Sequence, residues 1–142
     1  MWATVSADTV MRLPRAPVRA IRVNGGDTST DVRPEAEGWK CCIDDLLAIR
    51  LLEADWDGQG AEAPLPDLVD SAIVLADLLR QKGVEPPSRT MQGVDGTVVM
   101  EWQWGENVTA EVEIIEPFLA DVFVMVPGQD VERWQIQGNT TA

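Results

Sequence analysis

Part-way along the chain the spacing of apolar residues changes from about 3.6 residues to 2, and this switch restricts the fold more than any other feature. Over 39–54, Trp39, Ile43, Leu46, Leu47, Leu51 and Ala54 fall three or four apart, while Asp44, Asp45, Arg50 and Glu53 lie mostly off that stripe. The spacing predicts an amphipathic helix of about four turns. Cys42, Ile49 and Leu52 widen its apolar band, which implies burial from two sides or contact with a second chain. A second helix is predicted over 66–82. Pro66 suits the first helical position and Asp67 complements the positive helix end. Val69, Ala72, Ile73, Ala76 and Leu79 form its buried stripe, and Gly83 sits where a C-terminal cap belongs.

Beyond Asp95-Gly96 the residues alternate: Val98, Met100, Trp102 and Trp104 against Val99, Glu101 and Gln103. Gly105-Glu106-Asn107 closes a hairpin onto Val108, Ala110, Val112 and Ile114, which alternate with Thr109, Glu111, Glu113 and Ile115. Residues 121–126 and 131–137 each suit one further strand, with Pro127-Gly128-Gln129-Asp130 turning between them. Helices followed by strands in blocks imply an α+β fold, expected as a two-helix hairpin packed on one face of a four-stranded antiparallel β-meander. Glu85-Pro86-Pro87-Ser88 reads as a stiff connector between the two halves.

Between the helices lies Asp55-Trp56-Asp57-Gly58-Gln59-Gly60-Ala61. Its glycines allow positive φ, and Asp57 suits a turn in which a carboxylate accepts backbone N–H groups. Trp56 carries a large apolar surface that calls for burial. Trp56, Asp57, Gly58 and Gly60 are therefore expected to form a structural corner that sets how the two helices meet. Trp39, Trp102 and Trp104 lie on the apolar period of their own elements and are expected in the core, as is Trp56. Trp134 has a weaker pattern around it.

Residues 1–38 contain Pro14, Pro17, Pro34, the Gly25-Gly26 pair and a polar run from Asp27 to Asp31, and are expected to form an extended or partly disordered N-terminal arm. Val18 to Val23 within it would suit a short strand. The α+β domain is expected over 39–137, with 138–142 a frayed end. Five arginines against three aspartates give residues 1–34 a net charge of +2, leaving −15 of the chain's −13 total on the remainder. Such acidity argues against nucleic-acid and anionic-membrane partners and is compatible with a basic protein partner. No run of eighteen apolar residues occurs, and the N-terminus lacks a signal-peptide core. Cys41 and Cys42 are adjacent, a spacing poor for a disulfide and wrong for zinc, so a cytoplasmic location is expected.

The 142 residues include no histidine and no tyrosine, which excludes His-dependent triads and imidazole bases, and no phosphate-binding glycine motif occurs. Catalysis would have to rest on carboxylates. Asp55, Asp57 and Glu62 share part of the spacing of a calcium loop but lack its third Asp/Asn ligand and its length, so no cofactor is expected. A small carboxylate- or metal-dependent enzyme or ligand binder at that loop is the alternative this leaves open. Glu101, Glu111 and Glu113, on the acidic side of the first strands, are the candidate partner-binding residues, together with Trp134.

The corner, the Pro64 and Pro66 helix start, Glu85-Pro86-Pro87, and Asp95-Gly96 leading to Glu101-Trp102 together resemble a family of small uncharacterised bacterial proteins with a W-D-G-x-G-A corner. The resemblance covers residues 39–116. The family carries no established activity; its members often look like accessory genes of mobile or defence-related loci, which implies an antitoxin- or immunity-like role. Asp55 is often asparagine in the family, and the arm before Trp39 is particular to this chain. The expectation drawn from all these features is a noncatalytic acidic protein-interaction module. A homo-oligomeric assembly is a third reading, from the wide apolar band of the first helix and the open sheet edges.

Overall fold

The computed structural model describes Trp2 and residues 33–138. Two helices, α1 (Arg33–Ile49) and α2 (Pro66–Gln81), precede five strands: β1 (Arg89–Gln92), β2 (Val98–Trp104), β3 (Val108–Glu116), β4 (Leu119–Met125) and β5 (Glu132–Gln137). The strands form one antiparallel sheet in sequential order. The α+β class and the meander are as expected, but the sheet has five strands rather than four. The missed strand, β1, has only four residues and follows directly on the proline pair, too short to display alternation. Its backbone pairs Arg89 with Glu101 and Gln92 with Val98.

α1 starts six residues before the periodicity begins and stops at Ile49, not Ala54. Pro34 suits a helix start, whereas Gly38 in a helix interior lowers local propensity and hides the first turn from a sequence reading. A Cβ on Gly38 would lie 2.6 Å from Pro86 Cγ, so the close approach of helix and connector requires glycine there. At the other end the bonding tightens: the N–H groups of Leu51 and Leu52 donate to Ala48 and Ile49, three residues back. This turns Leu51 out of the core, while Leu47, inside the regular helix, is exposed because the buried stripe runs through its neighbour Leu46; the buried positions of α1 are Trp39, Cys42, Leu46 and Ile49.

α2 matches its expected limits closely. Gly83 adopts φ 84°, which lets the Val84 N–H reach the Leu79 carbonyl at 3.0 Å. Its buried residues, including Leu68, Val69, Leu75 and Leu79, join those of α1 and the inward-facing side chains of the sheet (Val98, Met100, Trp102, Ala110, Val112, Ile114, Ala120, Val122 and Ile136) in one core. Cys42 is part of it. Burial pushes its thiol up to about 11, with the Thr90 hydroxyl donating to its sulfur at 3.3 Å, so it packs as a small core residue whose surroundings disfavour the thiolate.

Helices and sheet are joined by three tryptophans. After α2 the chain exposes successive acceptors at Val84 and Glu85. Trp39 Nε1 of α1 donates to the Val84 carbonyl at 3.2 Å, Trp102 Nε1 of β2 to the Glu85 carbonyl at 2.6 Å, and Trp104 Nε1 to Glu85 Oε2 at 2.6 Å. Trp39 and Trp102 are buried as expected, and Trp104 is half-buried against the same core. The stiff connector is thus where the two layers are fastened.

Trp2, read from sequence as part of an arm, is instead a core residue. It is 5% exposed, donates Nε1 to the Ser71 carbonyl at 2.7 Å, and packs edge-on against Phe118 with ring centroids 5.4 Å apart. The Val18 to Val23 strand and the rest of 3–32 lie outside the described residues, as do 139–142. Gly138, expected to fray, donates its N–H to the Phe118 carbonyl at 2.9 Å. Trp2→Ala is expected to cost about 3 kcal/mol of unfolding free energy, the range for truncating a buried aromatic, measured by urea denaturation; a loss near zero would contradict this placement.

Candidate functional site

Two regions carry the side chains singled out by the sequence: the corner between the helices and the sheet face turned away from them. In the corner Asp55 takes φ 68°, a conformation aspartate tolerates, and Gly58 and Gly60 take 74° and 86°, which favour glycine. The Asp57 carboxylate accepts the backbone N–H groups of Gln59 at 2.8 Å and Ala61 at 3.0 Å. These two bonds hold its carboxyl below the usual aspartate value. Asp55 Oδ1 accepts the Gly60 N–H at 2.7 Å, and its own N–H donates to the Ala61 carbonyl at 2.8 Å. The loop is therefore closed on itself by its two aspartates.

The corner is also fastened to the sheet. The Glu62 N–H donates to the Val94 carbonyl at 3.0 Å, and Glu62 forms a bridge with Asp95 in the β1–β2 turn. Trp56 donates Nε1 to the Glu62 carbonyl at 2.9 Å, yet its partly exposed ring is not one of the side chains packed in the core. The expectation of a core tryptophan fails here, because the loop folds the indole against its own backbone. Nor do Asp55, Asp57 and Glu62 make a ligand set: the first two turn an oxygen inward to the backbone, and among the described residues no group of three or more His, Cys, Asp or Glu is disposed to hold a metal ion.

The outer sheet face is built by strand alternation. Glu101, Glu111 and Glu113 all lie on it, as expected. The register places Glu101 directly opposite Glu111, and Glu113 directly opposite Asp121 of β4. Two like-charged pairs thus face each other on adjoining strands, an arrangement that opposes folding. Arg89 of β1 relieves Glu101, its guanidinium reaching Oε1 at 3.0 Å, and Gln135 of β5 donates to Asp121 at 2.7 Å. Glu111 makes no ion pair among the described residues. Partial burial, then the neighbouring Glu101 and Glu113, push its carboxyl above the usual value.

Trp134 does not join this group. It pairs with core-facing Val122 and lies on the helix side of the sheet, half-buried against the core, so strand parity separates it from the glutamates. Asp121 and Arg89 were missed from sequence for one reason: membership of the face depends on cross-strand register, and in Arg89's case on the missed strand. On the same face Arg133 stands over the Phe123 ring, 4.8 Å from its centroid.

Compared with known proteins, the chain matches no family model, no curated protein and no solved structure. No helix among the described residues is long and apolar enough to cross a membrane.

The titrations have opposite signs. Asp57 and Asp70, the latter held low by the Arg50 guanidinium, contribute stability that is present above the ordinary value of 3.8 and lost as pH falls through their lowered values. Glu111 binds its proton more tightly when folded, so its contribution falls as pH rises from 4.5 through the raised value. Glu111→Gln is therefore expected to stabilise the chain at about pH 7 by no more than about 1 kcal/mol, after solvent screening, and to change nothing at about pH 3.5. Urea unfolding at the two pH values checks this; equal effects at both would contradict it.

Proposed function

We propose that the chain is a noncatalytic acidic protein-interaction module, in which a helical hairpin backs the sheet and the outer face, with Glu101, Glu111 and Glu113, meets a basic protein partner. The observation that carries this reading is the pair of like-charge oppositions, Glu101 with Glu111 and Glu113 with Asp121. A cluster that works against the isolated fold is relieved when cations from a partner are set among the carboxylates, so binding energy and relief of repulsion add. The raised Glu111 carboxyl supports the same reading, since a cationic neighbour would restore its charge. The partners of such a surface include the toxins that antitoxin- or immunity-like proteins neutralise; that part of the proposal rests on the family resemblance of the corner sequence.

Affinity capture from the source cell with the full chain tests the proposal, alongside the triple variant Glu101→Lys, Glu111→Lys, Glu113→Lys. A net-positive protein is expected to be retained by the natural chain, to be released by raised salt, and to be lost with the triple variant. Equal retention by both chains would overturn the assignment of the sheet face.

A further inference from the structure

The three most exposed large apolar residues of the described chain are Leu51 at 79%, Leu65 at 67% and Val94 at 60%. All belong to the corner or its immediate surroundings. Leu51 lies four residues before Asp55, Leu65 immediately precedes α2, and Val94 supplies the carbonyl that accepts the Glu62 N–H. Trp56 adds a partly exposed indole in the same loop, and its N–H is already taken by Glu62. The loop is a closed structure rather than a loose one, being held by Asp55, Asp57 and the bond to Val94.

The segment that carries this apolar group is acidic. Residues 51–79 contain seven carboxylates and no lysine or arginine, and Asp95 is bridged to Glu62. The nearest preceding base, Arg50, is held by both carboxylate oxygens of Asp70, at 2.8 and 3.1 Å. The Trp56 indole is bonded to Glu62, which is bonded in turn to Val94 and lies three residues before Leu65. Glu53, Glu62, Asp67 and Asp95 make no ion pair among the described residues. An indole, aliphatic groups and unpaired carboxylates in one segment complement one side chain above all others. Arginine stacks its planar guanidinium on an indole, lays its stem on apolar surface and pairs with carboxylates.

We propose that the corner is a docking surface for an arginine-bearing, net-positive protein segment, with the Trp56 ring as its anchor and Leu65 and Val94 as the apolar flank. This surface is separate from the outer sheet face and does not depend on the reading of that face. The occupant is a partner segment; a second copy of this chain is an outcome the experiment distinguishes.

The test uses the full chain labelled with ¹⁵N, titrated with a short synthetic peptide of alternating arginine and leucine and with its lysine–leucine counterpart. The arginine peptide is expected to shift the Trp56 indole resonance and the amides of Leu65 and Val94, and to bind several-fold tighter than the lysine peptide. Trp56→Ala is expected to weaken it at least tenfold while the Gly60 and Ala61 amides keep their positions, which reports an intact loop; should that loop be disturbed, Leu65→Ser gives the same readout. Glu111→Lys should leave this binding unchanged, so that failure of the sheet-face proposal is seen separately. Shifts confined to the strands bearing Glu101, Glu111 and Glu113, an affinity unaffected by Trp56→Ala and Leu65→Ser, or corner shifts that track protein concentration without peptide would overturn the proposal, the last by assigning the surface to a second copy.

Discussion

Three indole N–H groups converge on two consecutive residues, Val84 and Glu85, and the attachment of helices to sheet depends on that convergence. Trp39 reaches them from α1, and Trp102 and Trp104 from β2, while the segment itself is what α2 becomes after its Gly83 cap. Each bond satisfies an indole N–H that burial would otherwise leave unpaired, at a cost of about 1–3 kcal/mol apiece. The two prolines that follow restrict the connector's backbone, so the acceptors stay where the donors need them. Gly38 lets α1 approach the same connector, its missing Cβ leaving room for Pro86.

With one face of the sheet joined to the helices in this way, the other is left to electrostatics. Alternation sends Glu101, Glu111, Glu113 and Asp121 outward, and register sets them in opposed pairs that, among the described residues, Arg89 and Gln135 relieve from the flanking strands. The hydrophobic core on the opposite side carries the stability that tolerates this. Local strain of this kind persists where the rest of the structure outweighs it, as at many functional sites, and it is the ground on which an interaction surface is proposed here.

Much of this was legible from residue order alone, and the failures have physical causes. The two helices, Gly83 as cap, the closing of the corner by Asp57, and strands β2 to β5 follow from period, turn chemistry and capping, which are local. β1 escaped because four residues carry no period. Leu51 was misplaced because spacing does not report where a helix ends, and the final turn tightens after Ile49; Leu47 was misplaced because adjacent apolar residues leave open which of them, here Leu46, faces the core. Trp134, a candidate partner-binding residue like the glutamates, lies on the other face, which residue order left open because parity within β5 can be assigned only once its partners on β4 are known. Trp2 gave no sequence signal at all: one indole at the head of the chain, brought by tertiary structure to Ser71 and Phe118.

The corner tryptophan is where the structure departs most from what its sequence suggests. A large apolar ring in a glycine-rich bend reads as a wedge between helices, yet Asp55 and Asp57 close the bend, and the core is built without Trp56. Its ring then contributes little to the core. The unfolding free energies of Trp56→Ala and Trp102→Ala, measured side by side, test this most directly. A loss of about 1 kcal/mol is expected for Trp56, the worth of one exposed hydrogen bond and some loop packing, against about 3–5 kcal/mol for the buried Trp102. Equal losses would contradict it and return Trp56 to the role of structural wedge.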